Sequence, residues 1–128
     1  MSTVTPERID AWLLRYGAAW EARDGDAAAQ LFAPDAIYWW GPHEPPLQGR
    51  GAIGERWAQA TEDQRDVCFR HEILGADRER AFARWWSTFV RVSTGQRVEL
   101  DGIFVLDFAQ GDLCHRLQEW WLAREWAE

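Results

Sequence analysis

A change of hydrophobic period near residue 66 constrains this chain more than any other feature. Over Ile9, Trp12, Leu13, Tyr16 and Trp20 the apolar positions recur at helical spacing, whereas from Asp66 onward they recur every second residue. These are the periods of a helix face and of a strand face. The period-two region divides into runs at 66–75, 80–92, 97–108 and 113–121. The segments between them, 76–78, 93–96 and 109–112, are too short for parallel crossovers, so consecutive runs are antiparallel neighbours. Helices followed by a strongly bent antiparallel sheet make an α+β layout.

The helical part has readable boundaries. Thr5, Pro6 and Glu7 are an N-cap, a first-turn proline and an acidic first turn. The helix is expected to stop at Asp24 and Gly25, with glycine supplying a left-handed C′ residue. Asp26 then caps a short helix over 27–32 that ends before Pro34, and 36–40 reads as a strand. Three prolines and two glycines in 41–50 mark a loop. Ile53, Trp57 and Ala60 mark a third helix.

The 128 residues fit one domain, 1–128, which can bury roughly two thirds of its unfolded surface. All 14 basic residues are arginine, so Schiff-base and pyridoxal-phosphate chemistry on a lysine are excluded. A net charge of -7 disfavours nucleic acid, which requires a basic patch. Cys68 and Cys114 form no C-x-x-C, and His71-Glu72 lacks a second histidine at helical spacing, so no metal site is expected. Glycine-rich phosphate loops and G-x-S-x-G are missing, and no cofactor is implied. No run approaches the ~18 apolar residues of a membrane span, and residues 1–8 lack a signal-peptide core. The expected location is therefore cytoplasmic.

The 10 tryptophans exceed what a small core needs. Trp12, Trp20 and Trp57 are at positions that pack helices on the sheet. Trp40, Trp86 and Trp121, with Trp57, Phe104 and Leu117, are the expected walls of a pocket for a small apolar molecule. Trp85 and Trp120 are expected on the convex face beside Phe89, Ile103 and Val105, where they would form an apolar patch.

The stretch Tyr16-Gly-Ala-Ala-Trp20-Glu-Ala-Arg-Asp24-Gly-Asp-Ala, running into Leu31-Phe32-Ala-Pro-Asp35-Ala-Ile-Tyr38, resembles the opening of ketosteroid-isomerase and SnoaL-like polyketide-cyclase relatives. Gly51-Ala-Ile53 and Gln118-Glu119-Trp120-Trp121 continue the resemblance. It implies the cone-shaped fold of nuclear-transport-factor-2-like proteins and a homodimer formed through the sheet. Tyr16 matches the oxyanion-hole tyrosine of ketosteroid isomerases, whereas their general base falls near Trp40 and their protonated aspartic acid on Phe104. Neither replacement can transfer a proton. In limonene-epoxide hydrolases the middle-strand arginine looks like Arg84 and the last-strand aspartate like Glu119, and a second aspartate falls on Trp86. SnoaL-like cyclases also place an acid/base carboxylate on the last strand, where Glu119 lies.

Alternation across the last hairpin pairs 108 with 113 and places Glu119 opposite Gly102 on an apolar face. Val67, Phe69, His71 and Ile73 follow on that face by alternation, and the resemblance adds Phe82, Arg84, Trp86 and Thr88. Gly102 would leave open space between Trp86 and Glu119. A buried carboxylate there requires either an ion pair with Arg84 or a raised pKa. The reading that follows is a SnoaL-like, cofactor-free lyase, isomerase, cyclase or hydrolase. Glu119 is its acid/base, Arg84 sets the ionisation, and Tyr16 or His71 polarises a substrate oxygen. The competing reading is a noncatalytic ligand-binding or dimerisation module, with Glu119 tied to Arg84 in a filled cone and His71 merely hydrogen-bonded in place.

Overall fold

The computed structural model describes residues 3–127, so Met1, Ser2 and Glu128 of the expected 1–128 domain lie outside the described part. Helices α1 (Pro6–Glu21) and α2 (Gly25–Ala29) precede β1 (Phe32–Trp39), β2 (Leu47–Gln48) and α3 (Arg50–Thr61). Four long strands follow: β3 (Gln64–Asp77), β4 (Arg80–Arg91), β5 (Arg97–Phe108) and β6 (Cys114–Trp126). The six strands form one curved sheet in the order β2-β1-β6-β5-β4-β3, with the helices packed on it. This is the expected α+β class. No helix among the described residues is long and apolar enough to cross a membrane.

Helix α1 begins where its cap chemistry predicts: the Thr5 side chain accepts from the Arg8 amide at 3.2 Å, with Pro6 in the first turn. Its end corrects the sequence expectation. Ala22 is the C-cap and Arg23 takes the left-handed conformation at φ 54°. The Arg23 guanidinium is held by the backbone carbonyl of Gln64 at 3.0 Å. Gly25 is needed for a different reason, since a Cβ there would lie 2.6 Å from the Gly54 carbonyl oxygen of α3. Asp24, rather than Asp26, caps α2 by accepting from the Ala27 amide at 3.0 Å.

Strand β1 starts at Phe32, inside the segment expected to be helical, and runs parallel to β6. Its register shifts between Phe32 and Ile37, where Pro34 withholds a ladder donor. The four strands β3 to β6 are antiparallel throughout, as the short turns require.

Strand β4 shows the largest departure from expectation. Val90 pairs with Arg97 and Trp85 with Gly102, so odd positions of β4 share a face with even positions of β5. Ala81, Ala83, Trp85, Ser87 and Phe89 are buried, and Arg84 and Trp86 lie on the opposite face. The space above Gly102 is filled from below by Trp85, because a Cβ at 102 would fall 2.8 Å from both Cε2 and Nε1 of that indole.

Candidate active site

Glu119 reaches the interior because β6 carries it level with Phe104 on the concave face, two residues along from the expected partner Gly102. The turn accounts for one residue, because Phe108 pairs with Cys114 rather than Leu113, and a register shift between Asp107 and Phe108 adds the other. Glu119 is only 5% exposed. On the other flank of β6 the parallel strand β1 sets Tyr38 level with Leu117. The Tyr38 hydroxyl donates to Glu119 Oε1 at 2.9 Å. The hydroxyls of Tyr16 and Tyr38 lie 2.9 Å apart. Since Tyr38 has committed its only proton to Glu119, Tyr16 is the donor of that pair. A directed chain therefore runs from Tyr16 through Tyr38 to Glu119.

Glu119 Oε2 has no hydrogen-bond partner among the described residues and stays open to the cavity that Glu119 lines. Burial pushes the Glu119 carboxyl up to about 8; the Tyr38 hydrogen bond pulls it down, and the Glu44 carboxylate pushes it up further. At neutral pH the group is mostly a neutral acid. Burial first, and Glu119 second, hold both tyrosines well above the ordinary phenol range. They remain hydroxyl donors at neutral pH.

The cavity has a volume of about 150 Å³, a size of the order that admits one benzene ring. Its walls are aromatic. Trp57 of α3 meets Tyr16 and Trp20 edge-on at 5.3 and 4.9 Å between ring centroids, and Trp40 packs on Trp57 at 5.3 Å. Trp85 forms the floor. The Trp121 indole donates to the Trp40 carbonyl at 2.9 Å, which ties β6 to the end of β1. Ala60, Gln64, Phe89, Arg91, Leu100 and Ala123 complete the lining.

The family described as the SnoaL-like domain matches residues 13–116, most of the chain. The chain belongs to the SnoaL-like family. Among solved structures, this SnoaL-like chain is similar to SalBIII, described as an epoxide hydrolase/cyclase-like enzyme in pyran ring formation in the polyether salinomycin. The TM-score is 0.79 at 15% identity, over 94% of this chain and 96% of that one. At this identity the likeness shows the fold alone. No curated protein matches.

The SnoaL-like domain brings Tyr16, Glu119, Trp40, Trp57 and Trp121 together around the cavity. Arg84 is not among them. It pairs with Asp101 through Nε and Nη2 at 3.1 and 2.8 Å and lies 4.4 Å from the centroid of Trp86, all on the outer face. The expected pairing of Arg84 with Glu119 is therefore corrected, and so is Trp86 as a pocket wall. The alternative to that ion pair, a raised pKa, is what the site has. His71 faces inward but is held by Asp10 of α1, with Nε2 to Oδ1 at 2.7 Å, away from the cavity. Phe104 and Leu117 are fully buried beneath the site and do not line it. Trp85 and Phe89, expected on the convex face, line the interior.

Tyr38, Trp20 and Gln64 were not among the expected site residues. Tyr38 had a signal: it alternates with Ala36 and Trp40 along a strand. Gln64 had none, because the register of β3 shifts between Arg65 and Cys68, with Asp66 in the left-handed region at φ 55°. The bulge moves even-numbered Gln64 onto the face that odd-numbered Val67 and Phe69 occupy.

Proposed function

We propose that this SnoaL-like protein binds a small, largely apolar molecule in the aromatic cavity and acts on it by proton transfer from Glu119, without a cofactor. The observation that carries the proposal is a buried carboxyl whose Oε1 is held by Tyr38 while Oε2 opens onto a largely aromatic cavity. Such a group donates its proton to a carbonyl, epoxide or ether oxygen as a C–O bond breaks or an enol forms, and the carboxylate left behind is stabilised by the Tyr38 hydroxyl. The attacking water or substrate hydroxyl that forms the new C–O bond, or the α-carbon that becomes part of the enol, loses a proton, and that proton returns to the Glu119 carboxylate. The reaction classes that use this step are those of a cyclase, hydrolase, isomerase or lyase. SalBIII, which shares the fold, supports the first two by analogy only.

The test is tryptophan-fluorescence titration with epoxides, cyclic enones and aromatic polyketide mimics, followed by turnover assays on the tightest binder. Saturable quenching is expected, and Glu119→Gln is expected to bind within a few-fold of wild type while losing about 10²–10⁴-fold in turnover. Unchanged turnover would overturn the role of Glu119. No quenching by any ligand would overturn the cavity as a binding site.

We also propose that two copies associate through the outer sheet face, where Ile103 and Trp120 are register partners and Trp120 and Leu122 are 45% and 81% exposed. Sedimentation is expected to show a dimer that Trp120→Glu dissociates. A monomeric wild type would refute it.

A further inference from the structure

The cavity has a second group of polar residues on its wall. Gln64 and Arg91 are register partners on neighbouring strands β3 and β4, and both line the cavity. Along β6 the lining runs from Glu119 through Trp121 to Ala123, and four residues of strand span about 13 Å. Ala123 is level with Leu100, which is level with Ser87, and Arg91 lies four residues beyond Ser87 on β4. Glu119 is buried, whereas the Arg91 side chain is 35% exposed. Glu119 therefore lies at the more buried end of this run and Arg91 at the more exposed one.

The orientation of Gln64 is fixed by its partner. The Trp20 indole N–H, which can only donate, lies 2.8 Å from Gln64 Oε1, so the amide NH₂ must point the other way. Gln64 is 7% exposed, yet that NH₂ has no hydrogen-bond partner among the described residues and is not sealed off. The surface it lines is the cavity, so the NH₂ is available to an acceptor on a ligand. Beside it, Arg91 is the single cation on the cavity wall. Its Nε and Nη2 reach Glu125 at 2.7 and 3.4 Å, which leaves its remaining N–H groups for another acceptor. Glu125 is 38% exposed and can be displaced to water at little cost.

We propose that the cavity selects a flat organic acid: Gln64 and Arg91 hold its carboxylate at the more exposed end, and its apolar body lies along the aromatic walls towards Glu119. This assignment rests on the reading of the cavity as a ligand site with Glu119 as its acid, and it adds the substrate class. The aromatic walls between the two polar ends set the flat shape. A carboxylate accepts from a guanidinium and an amide together more strongly than any neutral group does.

Isothermal titration with three matched probes tests it: 4-formylbenzoate, 4-formylbenzamide and benzaldehyde. Wild type is expected to bind 4-formylbenzoate at least about tenfold more tightly than the amide, the worth of one charge-assisted hydrogen bond. Arg91→Gln is expected to abolish that preference. Because Arg91 and its partner are both partly exposed, this variant is expected to keep the wild-type circular dichroism and melting temperature to within a few degrees. Equal affinity of the acid and the amide in wild type would overturn the proposal while leaving the cavity reading intact, as would a preference that survives in Arg91→Gln. If none of the three probes binds, the cavity reading fails with it.

Discussion

Glu119→Gln will be more stable than wild type at alkaline pH and equal to it at acid pH. The carboxyl titrates at about 8 in the folded protein against an ordinary value of 4.5. Below pH 4.5 it is protonated in both the folded and the unfolded chain, and its burial carries no ionisation cost. Between pH 4.5 and 8 the unfolded chain gives up the proton while the folded one keeps it, so wild-type stability falls by about 1.4 kcal/mol per pH unit from this group. Above pH 8 both states are ionised and the loss levels off at several kcal/mol. Glutamine does not titrate, and its amide oxygen can still accept from Tyr38. The difference between the two proteins, taken from urea unfolding at pH 5, 7 and 9, therefore isolates residue 119 from every other titrating group. Parallel stability curves would contradict the buried, unpaired state of the carboxyl.

Trp85→Ala will cost far more than Trp86→Ala, although the two residues are neighbours in sequence. Trp85 is 2% exposed, stacks on Phe104 at 5.2 Å and on Phe69 at 6.2 Å, both with rings 17° apart, and fills the space that Gly102 vacates. Its truncation leaves a large void among rings that cannot collapse, worth about 3–5 kcal/mol. Trp86 lies on the outer face between the guanidiniums of Arg70 and Arg84, at 5.5 and 4.4 Å. Such cation contacts at a solvated surface are worth about 0.5–1 kcal/mol each. Thermal or urea unfolding of the two variants checks the order, and a reversed order would mean that the facing of β4 is wrong.

That pair of tryptophans also shows where the sequence stopped being legible. Strand β4 carries apolar residues at both parities: Ala81, Ala83, Trp85 and Phe89 on one side, Phe82, Trp86 and Val90 on the other. Alternation establishes a strand there but cannot say which side faces in. The resemblance to epoxide hydrolases decided for the even side, whereas the ladder from Val90 to Arg97 sets the odd side inward. Strand β5 posed no such problem, because Leu100, Phe104, Leu106 and Phe108 are opposed by Asp101 and Asp107. Glu119 was placed on the inner face for the same reason, even though its partner differs by two residues.

Bulges account for a further part of the difference. The shifts in β3 and at the start of β6 change parity within a strand, and nothing local in Gln64 announces that change. Tyr38 escaped because a parallel pairing between the first and last strands is a long-range event. Its residues show β-propensity but not their partner. The helices, their caps and the antiparallel meander were readable, because each depends on neighbours only a few residues away.

The account rests on a neutral carboxyl at position 119, and its ionisation can be followed directly. A carbon-13 NMR titration of glutamate side-chain carboxyls, with the resonance assigned by its loss in Glu119→Gln, is predicted to show one signal with a midpoint near pH 8, well apart from the solvent-exposed glutamates. A midpoint at the ordinary glutamate value would mean that Glu119 is a solvated carboxylate, and the proton-donor reading of the cavity would be wrong.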